Sequence, residues 1–123
     1  TAHVAGAHSD TAAGAVDLGG ATTLAELAAV LAGARVVVAP NTAAAHLAAA
    51  VGTPVVSLFA PVVPASRWAP HGVPVTVLGD QAAPCRGSRA RVCPLQRHTC
   101  LDDISDRALL EAVHAYAQGR KAP

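Results

Sequence analysis

Arg35-Val36-Val37-Val38-Ala39-Pro40-Asn41-Thr42-Ala43-Ala44-Ala45-His46-Leu47-Ala48-Ala49-Ala50-Val51-Gly52-Thr53-Pro54-Val55-Val56-Ser57-Leu58-Phe59 decides the fold. It opens on a β-branched apolar run without alternation, from Arg35 to Ala39, the pattern of a strand covered on both faces by helices. The run stops at Pro40-Asn41-Thr42, where Asn41 or Thr42 is placed to cap a new helix from Ala43 to Val51 that closes at Gly52. Thr53-Pro54 leads into a second continuous apolar strand, Val55 to Phe59. Strand, helix and strand joined by a few residues form the unit of right-handed crossovers in a parallel sheet, so the chain reads as α/β.

Working outward, Ala15-Val16-Asp17-Leu18 reads as a short strand running into Gly19-Gly20. Thr23-Leu24-Ala25-Glu26 fits a capping box, in which hydroxyl and carboxylate each satisfy an unpaired amide at a helix start. Leu24, Leu27, Ala28 and Leu31 recur on one face, and Gly33 suits a left-handed stop, predicting a helix over 23–32. Residues 1–14 lack clear periodicity and carry no functional reading beyond the remains of a helix. Beyond Phe59, Pro61, Pro64, Pro70 and Pro74 predict a rigid non-helical excursion around Arg67-Trp68. Val75-Thr76-Val77-Leu78 reads as one more strand, and residues 79–100 as a loop rich in Gly, Pro, Cys and Arg. Ser105 then caps a terminal helix whose buried face is Leu109, Leu110, Val113 and Ala117, with Ile104 stapled onto Leu109.

The chain has 123 residues, 52% of them apolar and 14% charged, with a net charge of +1, which suits one small globular domain and excludes a charged disordered tail. Aromatic residues are Phe59, Trp68 and Tyr116, so the core must come from Val, Leu and close-packed Ala. Arg35, Asn41, His46, Gly52 and Pro54 interrupt the apolar middle, leaving no run of the roughly 20 residues a membrane helix needs. There is no signal-peptide pattern, and three cysteines make no disulfide framework, so the expected compartment is cytoplasmic. Thr1 and the absence of Met suggest a trimmed end, and the chain is treated as a fragment.

In open parallel sheets ligands collect at the carboxyl ends of strands, where loops enter helix N-termini. Three such exits are expected: 19–23, 40–46 and 60–68. The middle one offers the unpaired amides and partial positive charge of a helix start, a seat for a phosphate, with small Ala43, Ala44 and Ala45 permitting close approach and His46 one turn in. The competing structural reading is that Asn41 or Thr42 only caps a helix whose alanines serve packing. Arg67 matches phosphate oxygens with paired donors or stacks on Trp68 or Pro70. Thr22 and Thr23 would sit where a base or ribose rests, their capping role being the competing explanation.

The ordered runs from Asp17 to Leu27 and Val36 to Phe59, then Pro64, Arg67-Trp68, Pro70, Cys93-Pro94-Leu95, His98-Thr99-Cys100, Ile104 and the last helix, resemble family 9 glycosyltransferases, the ADP-heptose:lipopolysaccharide heptosyltransferase group. The likeness covers roughly residues 15–115. It implies a Rossmann-like three-layer parallel sheet forming most of the C-terminal, sugar-nucleotide-binding half of a GT-B glycosyltransferase across residues 1–123, with the N-terminal acceptor domain and its catalytic base outside this chain. The implied activity is inverting transfer of a heptose-like, ADP-linked sugar to a lipid-linked or cell-envelope glycan, without metal or cofactor, and with a peripheral inner-membrane contact and no nucleic acid among the partners. This piece alone would not turn over.

On that resemblance the donor-binding residues are Asn41, Thr42, Ala43, Ala44, His46, Thr22, Thr23 and Arg67. The family's usual Asp-Thr-Gly loop here reads Asn41-Thr42-Ala43, so a neutral amide replaces a carboxylate and a methyl group is added at the third position. A non-catalytic nucleotide-binding or interaction module of the same fold is the alternative those departures favour.

Cys85, Cys93, Cys100 and His98 make a possible zinc ligand set, but no Cys-x-x-Cys pair is present, which favours reduced thiols or one disulfide over a metal. Arg86, Arg89, Arg91 and Arg97 in the same loop lack acidic neighbours and read as a solvated loop or a face toward an anionic acceptor or membrane.

Overall fold

A computed structural model describes residues 14–95 and 98–118, so the expectation for residues 1–13 and the side chain of Arg97 lie outside the described residues. Three parallel strands, β1 (Val37–Pro40), β2 (Val55–Leu58) and β3 (Val75–Leu78), stand in sequence order. Val37 is opposite Val55, and Val55 opposite Val75. The helices are α1 (Leu24–Gly33), α2 (Ala43–Ala50), α3 (Ala65–Trp68), α4 (Thr99–Asp102) and α5 (Asp106–Ala117). This is the expected α/β, Rossmann-like arrangement.

Side-chain alternation divides the sheet into two faces. Val37 and Ala39 of β1 and Val55 of β2 meet Ala45 and Ala48 of α2 in one buried cluster, with Leu31 of α1 against its margin. Ala45 and Ala48 are three residues apart and fully buried, so α2 sits on the sheet through methyl groups alone. That is how a chain poor in aromatics closes a core. Thr53, also fully buried, donates its hydroxyl to the Leu31 carbonyl at 2.7 Å and ties the β2 entrance to α1.

The opposite face carries Val38, Val56 and Thr76 in register. Helix α5 packs against β2, and the Tyr116 and Thr76 hydroxyls share a hydrogen bond of 2.6 Å. Arg35 donates to the Ala117 carbonyl at 2.9 Å, placing a cation at the helix C-terminus, where the dipole favours it. Because α5 lies over β2 and β3, Val38 remains 42% exposed and β1 alternates buried with exposed. The expectation that the Arg35-to-Ala39 run is covered on both faces is therefore corrected for β1, and its terminal Pro40 suits an edge strand.

Other local readings divide the same way. The capping box forms in both halves, Thr23 Oγ1 accepting from the Glu26 amide at 3.2 Å and Glu26 Oε1 from the Thr23 amide at 3.1 Å. Donation from the Thr23 amide first, and from its hydroxyl second, holds the Glu26 carboxyl below its ordinary range. Gly33 is the last helical residue rather than a left-handed stop, since the chain leaves through an extended Ala34. Gly52, at φ +81°, does turn the chain out of α2. Ala15 to Leu18 form no strand and are exposed, because no neighbouring strand lies beside them among the described residues. The proline-rich excursion contains one helical turn, α3, started by Pro64. Ser105 caps α5 by accepting from the Ala108 amide, but Leu110 is 56% exposed and leaves the expected buried face.

Candidate functional site at the carboxyl edge of the sheet

Strand β1 ends at Pro40, and the chain bends sharply: the Thr42 amide donates back to the Pro40 carbonyl at 2.8 Å. Thr42 is extended, at φ −138° and ψ 172°, and α2 begins at Ala43. The Thr42 side chain makes no capping bond, unlike Thr23 and Ser105 at the starts of α1 and α5. The expectation that Asn41 or Thr42 caps this helix through its side chain is thus corrected: Thr42 holds the cap position but leaves its hydroxyl uncommitted. The Ala45 amide is satisfied by the Thr42 carbonyl at 3.1 Å. The Ala43 and Ala44 amides, first and second in the helix, have no intrahelical acceptor.

These donors lie at the surface. Asn41, Thr42 and Ala43 are exposed, Ala44 is half-buried, and His46 is exposed one turn along. Only Ala45, facing the sheet, is sealed. An anion meeting the two amides would find the positive end of the helix and two exposed side chains able to donate, Thr42 and Asn41.

At the β2 exit, Phe59 and Pro61 are buried, and Arg67 is exposed on α3. Among the described residues Arg67 makes no ion pair, so its guanidinium is available to an anionic ligand. Thr23 is committed to the α1 capping box, and Thr22 is half-buried beside it. Because the strand expected at 15–18 does not form, Thr22 and Thr23 stand at a helix start instead of at a strand end. Helix α1 packs on α2 and finishes just before β1 begins, which turns its N-terminus toward the same side of the sheet as that of α2.

The structure adds an exit, after β3, that the sequence reading passed over. After Leu78, Gly79 turns at φ +127°, and a cavity of about 210 Å³ opens beside Gly79, Asp80, Thr99, Asp103 and Ser105. A Cβ on Gly79 would come within 2.5 Å of the Phe59 carbonyl oxygen, so the β2 and β3 exits touch through bare backbone. Gln81 braces the contact by donating to the Phe59 carbonyl at 2.8 Å. The sequence signal was available, a glycine and an aspartate directly after an apolar strand.

Below the site, Ser57 of β2 is fully buried with an unpartnered hydroxyl. It lies two residues beyond Val55 and opposite Ala39, and so on the face that α2 covers. The cysteine loop packs in a cluster of its own, distinct from the one beneath α2. No three His, Cys, Asp or Glu side chains converge to hold a metal ion among the described residues. None of Cys85, Cys93 and Cys100 is in a disulfide. No helix among the described residues is long and apolar enough to cross a membrane.

Comparison with known proteins returns one family: residues 2–98 match the sequence model of Glycosyltransferase family 9 (heptosyltransferase). No curated protein and no solved structure matches the chain.

Proposed function

The chain belongs to glycosyltransferase family 9 and thus to the glycosyltransferases, and from that premise we propose that its α2 start binds the diphosphate of a nucleotide sugar. The observation that carries this reading is the pair of amides at Ala43 and Ala44 without an intrahelical acceptor, at an exposed turn beside an uncommitted Thr42 hydroxyl. Fixed amide dipoles need no reorganisation as negative charge builds on a departing diphosphate, which is the efficient form of electrostatic stabilisation. His46 donates to a phosphate oxygen from the next turn, and Arg67 supplies a full positive charge from the β2 exit. Thr22 and Thr23 lie toward the base or ribose.

The sugar is heptose-like and the nucleotide ADP-linked, transferred with inversion to a lipid-linked or cell-envelope glycan on the cytoplasmic side. The group that deprotonates the acceptor belongs to an N-terminal domain, and residues 1–123 are most of the donor-binding half. Arg86, Arg89 and Arg91 are exposed, and no acidic side chain pairs with them among the described residues, which supports a face toward an anionic acceptor or membrane surface. No metal or cofactor is needed, because the amides and cationic side chains balance the charge of the leaving group.

Asn41 favours a second reading, a nucleotide-binding module without transfer, since its neutral amide cannot accept from a sugar hydroxyl with the strength of a carboxylate. Calorimetric titration of ADP, UDP and GDP against the protein, then against Thr42→Ala and His46→Ala, tests the donor site. Binding that weakens in both variants is expected. Absence of binding to all three nucleotides by a folded protein rejects it.

A further inference from the structure

The loop after β3 contains chemistry that donor binding does not use. Cys85 and Cys100 are 4% and 6% exposed and belong to one buried cluster with Ala83, against which Ala60, Val62 and Leu101 pack. The two thiols are thus neighbours in one cluster, both line one cavity, and Cys85 acts on the Cys100 thiol. Cys93, half-buried, lines the same cavity of about 180 Å³, together with His98.

The backbone holds this pair in place. The Cys100 carbonyl accepts the Asp80 amide at 3.0 Å, and the Cys85 carbonyl accepts the Ser88 amide at 3.1 Å. From the same loop, the Gly87 and Arg89 amides donate to the Pro61 and Val62 carbonyls, each at 2.8 Å. A segment with little regular structure is thus fixed at both ends of the thiol pair and laid against the β2 exit that leads to Arg67.

We propose that Cys85 and Cys100 form a reversible redox pair, a site of modification by low-molecular-weight disulfides that enter through the adjoining cavity. The Cys100 thiol, pushed above its ordinary range by burial and by the neighbouring Cys85, acts second, and Cys85 is the first nucleophile. Its thiolate attacks one sulfur of the small disulfide, whose S–S bond breaks and releases one small thiolate. The Cys100 sulfur, losing its proton, then attacks the Cys85 sulfur of the mixed disulfide and expels the second small thiolate. Two protein thiols are oxidised by two electrons, the reagent is reduced to two thiols, and the two protons lost by the protein are taken up by them. The new bond closes the loop from 85 to 100 and restrains the segment that supports the β2 exit.

This inference is independent of what the α2 start binds. The protein is equilibrated in buffers running from reduced to oxidised glutathione, quenched by alkylation, digested with trypsin without reduction and mapped by mass spectrometry. Arg86, Arg91 and Arg97 let trypsin place the three cysteines on three separate peptides. The expected result is a linkage between the Cys85 and Cys100 peptides that disappears again in reduced glutathione, with Cys93 alkylated throughout. Cys93→Ser retains the linkage, whereas Cys100→Ser loses it. A linkage through Cys93, no internal linkage in fully oxidised glutathione, or zinc that co-purifies and shields the thiols until chelated would each overturn the proposal.

Discussion

Replacing Ala43 by proline removes one proposed phosphate donor while sparing the helix that presents it. Ala43 is the first residue of α2, where an amide has no intrahelical acceptor and proline is tolerated. The preceding Thr42 is at φ −138° and ψ 172°, in the extended region that a residue before proline prefers. Ala43 is exposed, so the ring enters solvent. A hydrogen bond to a charged group contributes about 1.5–3 kcal/mol. Losing one should weaken a nucleoside diphosphate by roughly 10- to 150-fold. The assay is isothermal titration with whichever of ADP, UDP or GDP the native protein binds, paired with a thermal melt of both proteins. The expected result is the affinity loss at an unchanged or slightly raised melting temperature. Unchanged affinity in a variant that melts like the native protein would show that this amide does not meet the ligand, and the anion-seat argument would fail.

Other consequences concern stability and its pH dependence. Gly79→Ala should cost about 3–5 kcal/mol, combining positive-φ strain with a Cβ placed 2.5 Å from the Phe59 carbonyl oxygen. Gly72→Ala, at φ +87° with open space around it, should cost only about 1–2 kcal/mol, and equal losses in urea titrations would refute the close contact. Ser57→Ala removes a buried hydroxyl without a partner and should stabilise the fold by about 1 kcal/mol, a gain that chemical denaturation measures and a clear loss contradicts. The Glu26 carboxyl is held below its ordinary value of 4.5 by the Thr23 amide and hydroxyl, so its contribution is present above that value and is lost as pH falls through the folded value. Glu26→Gln keeps an acceptor that does not titrate, and melts across the acid range should show a shallower pH slope than the native protein. Tyr116→Phe, which breaks the 2.6 Å bond to Thr76, should destabilise the packing of α5 on the sheet by about 1 kcal/mol, read by thermal unfolding.

The alanine-rich α2 and its flanking strands were legible in the sequence because each signal is local. Continuous β-branched runs, Gly52 after the helix and the Thr23-to-Glu26 box act over a few residues, and the structure reproduces them. Asn41, Thr42, Ala43 and His46 were likewise found as candidates from their place at a strand-to-helix turn. What misled was any reading that needed a partner. Val16 and Leu18 looked like a strand, but a strand exists only beside another one, and they remain exposed. Leu24 and Leu110 fell on apolar faces by spacing, yet they are 73% and 56% exposed, since spacing defines a stripe without saying which part a neighbour covers.

By itself the sequence determined the order of elements from α1 to β2, the parallel crossover pattern and the turn after Pro40, all set by backbone preferences and periodicities that one segment carries alone, while its ordered motifs carried the resemblance to the family. Tertiary structure decided which of those features can act. Thr42 and Thr23 are the same residue type at the same position before a helix, yet one hydroxyl is consumed by Glu26 and the other is left open. Gly79 and Phe59 are distant in sequence, and the 2.5 Å clearance that forbids a side chain there exists only once β2 and β3 lie side by side. The juxtaposition of Cys85 and Cys100 in one buried cluster arises in the same way, because the loop that separates them is folded back and bonded to the β2 exit. Geometry between distant segments comes from packing, and no residue encodes it alone.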